Sequence, residues 1–128
     1  MNTKRIVSTT NAPSAIGPYS QGVWVDGFLF VSGQLPIDPA TGSIVQSDIS
    51  IQTRRVLDNL KAVVEACDLY MSDIVKVTVY MMCMDDFNSM NEVYKEFFTA
   101  DFPARVAVQV ARLPKNALVE IEAIAIKQ

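Results

Sequence analysis

The 128-residue sequence contains no histidine, and this absence removes several kinds of active site. Ser-His and Cys-His nucleophile pairs are excluded, and the commonest zinc ligand is missing. The only cysteines, Cys67 and Cys83, are far apart and form no C-x-x-C motif, so we expect buried, inert thiols without a disulfide or a metal. Any catalysis must therefore use carboxylates, arginine, lysine, tyrosine, backbone groups and water.

Long apolar runs, basic clusters and glycine-rich phosphate loops are also missing. Residues 1–10 lack the apolar stretch of a signal peptide, and no segment approaches the length of a membrane span. Eleven basic and fourteen acidic residues give a formal net charge of −3, which disfavours nucleic acid and acidic membranes as partners. We predict a cytoplasmic protein that has no nucleotide cofactor.

Half of the residues are hydrophobic, which is enough to bury a core in a chain of this length. We expect one domain over residues 1–128. A first strand is predicted at residues 4–9. Asp26-Gly27 stands between two short apolar runs and predicts a β-hairpin with a type I′ turn.

Two amphipathic helices are predicted from apolar residues at helical spacing. Ser47 or Asp48 caps the first helix, which runs for about five turns. Asp85 or Asp86 caps the second, and Pro103 prevents its continuation because proline lacks a backbone donor.

Three further segments, 74–82, 105–110 and 118–126, alternate in polarity with the period of a strand. Each segment has an aliphatic side, suited to the helices, and a mixed side. We assign to the mixed side Ile74, Lys76, Tyr80, Met82, Arg105, Ala107, Gln109, Glu120 and Ile124. Such a surface suits a subunit interface with a charged pocket, and it predicts a closed homo-oligomer. The order of elements predicts an α+β fold with two helices on one face of a sheet.

A turn at Pro114 and Asn116 is predicted to join the last two strands as a hairpin. Arg105 and Glu120 then share a face, separated by roughly 10 Å along the ladder. A guanidinium and a carboxylate so placed could hold an anion and orient a water. The simpler alternative is the ordinary solvated face of an antiparallel hairpin.

Two loop residues also admit two interpretations. Tyr19 follows Gly17-Pro18, and its ring is either a packing residue or part of a site. Gly33 would let a ligand approach the backbone closely, but a bulge or a strand-ending bend explains a glycine equally well.

Four motifs spread over nearly the whole chain resemble the RidA/YjgF family of imine deaminases. They are Gly17-Pro18-Tyr19-Ser20-Gln21, Ser32-Gly33-Gln34, Pro103-Ala104-Arg105 and the run 110–115 that leads to Glu120-Ile121-Glu122. The resemblance implies a chorismate-mutase-like fold of the bacillus type, with a mixed β-sheet. It also implies a homotrimer with sites between subunits, and hydrolysis of 2-iminopropanoate and 2-iminobutanoate to 2-oxo acids and ammonia without a metal or cofactor.

The same resemblance implies roles for individual residues. Arg105 would hold the substrate carboxylate, Glu120 would orient the attacking water, and Tyr19 would close the pocket. The other substrate-binding residues that it implies are Ser32, Gly33, Asn91 and Ala107.

The chain departs from the family pattern at Ala107, where many active members have cysteine, and at Val106, where small residues such as serine occur. If only the backbone at position 107 contacts the substrate, alanine is harmless. If the thiol contributes, the protein could instead bind small carboxylates without turnover, as a regulatory member of the family. A chaperone-like or nucleolytic role ranks last, because no basic groove is visible.

Overall fold

A six-stranded mixed sheet with two helices forms the protein in the computed structural model, which describes residues 3–128. The strands are β1 Arg5–Val7, β2 Gly22–Val25, β3 Phe28–Gln34, β4 Ile74–Met81, β5 Ala104–Gln109 and β6 Val119–Ile126, and the helices are α1 Ile49–Glu65 and α2 Phe87–Phe97. The strand order is β1-β2-β3-β6-β4-β5, with β4 and β5 parallel and the other pairs antiparallel. The predicted α+β architecture is confirmed, although β1 is shorter than predicted.

Local sequence signals correctly placed the turn and the helix starts. Asp26 and Gly27 have φ of 52° and 85°, as a type I′ turn requires, and they join β2 to β3. Asp48 caps α1, and its side chain accepts a hydrogen bond of 2.9 Å from the Ile51 backbone N–H. Asp86 precedes α2 without such a bond, because a short helical turn over 84–86 leads into the helix.

The core lies between the helices and the sheet. Its fully buried side chains include Leu29, Val56, Leu57, Leu60, Val63, Val77, Val79, Met81, Met90 and Ile121. Truncating one of the leucines to alanine would cost about 2–5 kcal/mol of stability. Both cysteines are free and half-buried, and burial raises the pKa of the Cys67 thiol, as expected for an unreactive residue. No helix in residues 3–128 is long and apolar enough to cross a membrane.

The predicted hairpin between residues 105–110 and 118–126 is wrong. β4 lies between β5 and β6, and it pairs in parallel with β5 and antiparallel with β6. Val77 of β4 is the partner of both Arg105 and Ala123. The order β4, α2, β5 is a strand–helix–strand crossover, which is how a chain connects parallel strands.

The faces of β5 are the reverse of the prediction. Residues paired across a sheet share a face, and Arg105 is paired with a fully buried valine of β4, so Arg105 faces the helices with Ala107 and Gln109. Val106 and Val108, predicted for the core, are 43% and 39% exposed on the other face. A period of two shows which residues of a strand share a side, but it does not show which side is covered.

The start of β4 also departs from the simple alternation. The register shifts between Ile74 and Lys76, so that Ile74 is buried in the core and Val75 is 38% exposed. Alternation over 74–82 predicts Ile74 on the mixed side and Val75 on the aliphatic side. Both assignments are wrong, because an irregularity in the pairing inverts the alternation locally.

The side of the sheet away from the helices is called here the open face. By strand register it carries Phe28, Phe30, Lys76, Thr78, Tyr80, Val106, Val108, Glu120, Glu122, Ile124 and Ile126. Phe28 and Phe30 are 40% and 43% exposed, and their rings stack with centroids 6.2 Å apart. No helix among residues 3–128 covers this apolar and charged surface.

Candidate active site

The largest described cavity, about 550 Å³, lies beside Glu120 and is called here the Glu120 pocket. Its lining residues are Pro13, Ser14, Ile16, Tyr19, Gln21, Ser32, Gly33, Gln34, Leu35, Ile37, Pro114, Lys115, Glu120 and Glu122. Loops supply most of this wall, and β3 and β6 supply the rest. The pocket therefore joins an apolar side to a side with two carboxylates and a lysine, a mixture common in small-molecule sites.

Glu120 projects from β6, where it pairs with Tyr80 of β4. Its carboxylate lies directly against the backbone of Gly33, and a Cβ at that position would collide with it. The glycine of the Ser32-Gly33-Gln34 motif is therefore explained by a close approach, made by a side chain of the same protein. Burial raises the pKa of Glu120, and the nearby Glu122 carboxylate raises it further.

Glu122 lies two residues beyond Glu120 on the same face. It accepts a hydrogen bond of 2.9 Å from the hydroxyl of Tyr80, and this bond raises the pKa of Tyr80. The bond holds the Glu122 carboxylate in a fixed place beside the pocket. Glu122 is thus held in place by Tyr80, and its negative charge disfavours a second negative charge on Glu120.

Gln21 holds the loop that forms one wall of the Glu120 pocket. Its buried amide accepts a hydrogen bond of 2.6 Å from the Thr9 N–H, and it donates to the carbonyls of Thr9, Ala12 and Pro13 at 3.0, 3.3 and 2.8 Å. A single side chain therefore satisfies four backbone groups of one loop. The loop continues to Tyr19, which is 52% exposed at the edge of the pocket. This exposure favours the site interpretation of Tyr19 over the packing interpretation.

Ser32 uses its polar groups within the protein. Its hydroxyl donates to the Ser20 carbonyl at 2.5 Å, and its backbone N–H donates to the Gln21 carbonyl at 2.9 Å. Its carbonyl accepts from the Gln34 side chain at 3.1 Å. Ser32 thereby joins β3 to the Tyr19 loop and fixes one side of the cavity.

Lys115 lines the Glu120 pocket from a strained backbone. Its φ of 58° and the φ of 57° at Asn116 lie in the left-handed region, which is unfavourable for a lysine. Within residues 3–128 the only ion pairs join Arg54 to Glu96 and Lys95 to Glu92, so Lys115 pairs with neither pocket carboxylate. Its ammonium group remains available to an anion that enters the pocket.

A second cavity, about 390 Å³, surrounds Arg105 and is called here the Arg105 pocket. Its lining residues are Asn91, Tyr94, Lys95, Phe102, Pro103 and Arg105. One guanidinium nitrogen, Nη1, donates to Asn91 Oδ1 at 2.7 Å. The guanidinium carbon lies 4.6 Å from the ring centroid of Tyr94 and 5.5 Å from that of Phe87. In the described chain, no carboxylate lies within ion-pair distance of Arg105.

The two pockets lie on opposite faces of the sheet. Arg105 shares the helix side with Val77, whereas Glu120 shares the open face with Tyr80. Two strand spacings across the sheet and three residues along it separate their backbones by about 14 Å. The prediction that Arg105 and Glu120 share a face is therefore wrong for a single chain.

The structure divides the sequence-predicted site residues into two groups. Tyr19, Ser32, Gly33 and Glu120 line the Glu120 pocket, and Asn91 and Arg105 line the Arg105 pocket. Ala107 lines neither cavity, since its side chain packs against the hydrophobic core.

Some functional candidates were not identified from the sequence. Lys115 and Glu122 both lie within the motifs quoted above, but neither had been assigned to the site. The helical spacing of Phe87 and Tyr94 predicts core residues, and their contact with Arg105 depends on the parallel placement of β5.

Residues 3–128 contain no cluster of three or more cysteine or carboxylate side chains placed to hold a metal ion. The chemistry available to the described groups is that of a carboxylate base, two cationic anion-binding groups and hydrogen-bonding loops. Such groups can bind a small carboxylate and activate a water.

The sequence is similar to that of known proteins over nearly its whole length. A family model described as Endoribonuclease L-PSP matches residues 9–127. A RutC family protein of Pyrococcus horikoshii is 57% identical, with 98% of this chain and 99% of the relative covered. The 2-iminobutanoate/2-iminopropanoate deaminase of Salmonella typhimurium is 50% identical, with 97% and 98% covered, and the human protein of that name is 44% identical, with 97% and 90% covered.

Solved structures of similar proteins share the fold. Escherichia coli TdcF with bound serine is 49% identical and superimposes with a TM-score of 0.93. The YjgF gene product of E. coli has the same identity and the same TM-score. Each comparison covers 97% of this chain and 99% of the other.

Proposed function

The chain belongs to the Endoribonuclease L-PSP family, and from that premise we propose that it hydrolyses 2-iminopropanoate and 2-iminobutanoate to 2-oxo acids and ammonia. The observation that carries the proposal is the Glu120 carboxylate, half-buried against Gly33 in a cavity of small-molecule size. Burial raises its pKa, which suits a general base that works near neutral pH. Relatives from Salmonella and human, at 50% and 44% identity, bear the name of this activity.

The complete site forms between two copies of the chain in a homotrimer. Arg105 and Glu120 lie on opposite faces of one subunit, so one molecule does not bring both to the same substrate. The open face carries exposed Phe28, Phe30 and Val106, an apolar surface that suits contact with a neighbouring subunit. In this arrangement the Arg105 pocket of one subunit meets the Glu120 pocket of the next.

Arg105 binds the substrate carboxylate. A guanidinium offers a planar fork of donors that matches a carboxylate, and Arg105 has no competing carboxylate among residues 3–128. Lys115, on the Glu120 side, adds a second positive charge that attracts the anionic substrate. Binding places the imine carbon close to Glu120.

Glu120 acts on the water that attacks this carbon. The ionised carboxylate accepts a proton from the water while the oxygen forms a bond to the imine carbon and the C=N electron pair moves to nitrogen. The proton held by Glu120 then passes to the nitrogen of the tetrahedral intermediate. Glu120, ionised again, takes the proton of the new hydroxyl group and delivers it to the amino nitrogen, so that the carbonyl forms as the C–N bond breaks, ammonia leaves and Glu120 ends as a carboxylate. An imine is already electrophilic, so this sequence requires no cofactor.

A second candidate is the binding of small carboxylates without turnover. The departure at Ala107 from the cysteine that the family resemblance implies is what favours this alternative, although the side chain at 107 packs on the core and lines neither pocket. Nucleic-acid cleavage ranks below both, because the Glu120 pocket holds two carboxylates and one lysine and would repel a phosphate backbone. The cytoplasmic location remains a prediction of the sequence.

The test is the rate of 2-oxo acid release from freshly generated iminopropanoate and iminobutanoate, with and without the protein. We expect acceleration that Arg105→Ala abolishes, while Arg54→Ala, which removes an exposed ion pair with Glu96, retains it. Light scattering should give a trimer for all three proteins. A fully active Arg105→Ala protein would contradict the assignment. Saturable 2-oxobutanoate binding by a trimer that accelerates neither reaction would favour the non-catalytic alternative.

A further inference from the structure

Arg105 rests on two aromatic rings of α2, Phe87 and Tyr94, called here the aromatic seat. We propose that the aromatic seat, together with Asn91, holds the Arg105 guanidinium in the orientation that receives the substrate carboxylate, with Tyr94 as the principal positioning residue. This inference rests on the proposed function, because it assigns the carboxylate to Arg105. It adds two residues, Phe87 and Tyr94, and it gives Asn91 a role that acts through Arg105.

The helix brings the three groups to one place. Phe87, Asn91 and Tyr94 are separated by four and three residues, so they lie on one side of α2. β5 runs past this side with Arg105 turned toward it, because β5 pairs in parallel with β4. A long arginine side chain that would otherwise sample many rotamers is thus held between a strand and a helix.

The hydrogen bond to Asn91 and the contacts with the two rings hold different parts of the Arg105 guanidinium. Asn91 Oδ1 receives one Nη1 proton at 2.7 Å, which fixes one end of the guanidinium. The Tyr94 ring, 4.6 Å from the guanidinium carbon, lies closer than the Phe87 ring at 5.5 Å. The Nε, the Nη2 and the second Nη1 proton remain as donors for a carboxylate.

A neutral seat also preserves the charge of the arginine. A carboxylate in place of these rings would pair with Arg105 and compete with the substrate for it. Aromatic rings attract the guanidinium through their quadrupole and leave its full positive charge. Asn91, predicted to bind substrate, presents an amide oxygen to Arg105, which suits a supporting role better than contact with an anion.

The ring of Tyr94 matters more than its hydroxyl. Tyr94 is 5% exposed, and its buried hydroxyl makes no hydrogen bond of standard geometry among residues 3–128. Burial raises the pKa of this hydroxyl, and the nearby Arg105 guanidinium offsets part of that rise. Phe98 packs against the same ring, with centroids 4.5 Å apart, and limits its movement. Phenylalanine should therefore replace Tyr94 without loss of the seat, whereas leucine should not.

The experiment measures the dissociation constant of 2-oxobutanoate by titration calorimetry, and the KM and kcat for iminobutanoate. Tyr94→Leu is expected to weaken 2-oxobutanoate binding about tenfold and to raise KM to a similar extent, with a smaller effect on kcat. Tyr94→Phe should restore both values to within about twofold of the original protein. Phe97→Leu is the matched control, because it removes a partly buried ring at the end of the same helix, whereas the rings that contact Arg105 are those of Phe87 and Tyr94.

Binding of 2-oxobutanoate by Tyr94→Leu that is as tight as by Phe97→Leu and by the original protein would overturn the inference. If Tyr94→Leu does not fold, Phe87→Leu and Asn91→Ala can be measured in its place, because both positions are less buried. If both variants bind 2-oxobutanoate as tightly as the original protein, the inference is overturned. Calorimetry needs no turnover, so a protein that binds 2-oxobutanoate through the seat but accelerates no imine hydrolysis would contradict only the proposed function.

Discussion

The Glu120 pocket and the Arg105 pocket are built in different ways and carry opposite charge. Loops held by Gln21 and Ser32 form most of the first, and it contains two carboxylates and one lysine. A helix and an edge strand form the second, and its arginine has no ion-pair partner among residues 3–128. The net charge of the side chains that line the first pocket is therefore negative, and that of the second is positive. This complementarity supports an active site shared between two subunits.

Removal of the carboxylate of Glu120 should reduce activity more than any other change to the two pockets. Glu120→Gln keeps the shape of the Glu120 pocket but cannot accept a proton, and we expect kcat to fall by about 10²- to 10⁴-fold. The affinity for 2-oxobutanoate should change far less, because the proposed function assigns the carboxylate to Arg105. Glu96→Gln, on an exposed carboxylate paired with Arg54, is the matched control. A Glu120→Gln enzyme that retained most of its kcat would remove Glu120 from the mechanism.

Mixing two inactive proteins tests whether the pockets belong to different subunits. Arg105→Ala and Glu120→Gln chains, unfolded together in equal amounts and refolded, should recover about a quarter of the original activity, since one site in four pairs an intact Arg105 with an intact Glu120. Each variant refolded alone should remain inactive. A mixture no more active than its parts would place both groups of a site within one chain.

Substitution of Gly33 should disturb one pocket and spare the other. A methyl group at position 33 would collide with the Glu120 carboxylate, and we expect kcat to fall about tenfold or more as the carboxylate moves. Gly17→Ala is the control, because a Cβ there meets the Tyr19 ring at an ordinary 3.5 Å. A Gly33→Ala crystal structure should show a displaced Glu120 beside an unchanged Arg105. Equal activity of the two variants would contradict the role of the close approach.

The smallest expected effect is on the pH dependence of kcat/KM. Burial, with a contribution from Glu122, raises the pKa of Glu120, and the base must be ionised, so activity falls as the pH drops through this raised pKa. Glu122→Gln removes the repulsion and should move the acidic limb down by about half a pH unit. Glu96→Gln should leave the limb in place. An unchanged limb in Glu122→Gln would show that Glu122 does not influence the base.

Features that depend on neighbours in the sequence were predicted well. The Asp26-Gly27 turn, the Asp48 cap and a strand over 74–82 follow from local backbone preferences and from alternation, and the structure has all three, with the strand ending at Met81. The grouping of Tyr19, Ser32, Gly33 and Glu120 came from motifs, and the structure places all four on one cavity. Roles for these residues remain predictions.

The pairing partner of β5 was missed although the sequence contains a signal for it. A strand, a helix and a strand in succession favour a parallel crossover, and the nine residues between Gln109 and Val119 are long for a hairpin turn. The turn residues Pro114 and Asn116 instead favoured the prediction that the last two strands form a hairpin. The side of β5 that is covered depends on α2, and no periodicity within five or six residues encodes that contact. The placement of β5 beside β4 is the reason that Arg105 and Glu120 lie in two separate pockets.

The placement of Arg105 and Glu120 on opposite faces has a consequence for inheritance. In the proposed trimer each subunit gives its Arg105 to one site and its Glu120 to another, so a chain altered at both positions would disable two sites when it joins two normal chains. That trimer would lose about two-thirds of its activity, whereas a protein with complete sites in each subunit would lose about one-third. An allele carrying both changes should therefore act dominantly when it is expressed beside a normal copy.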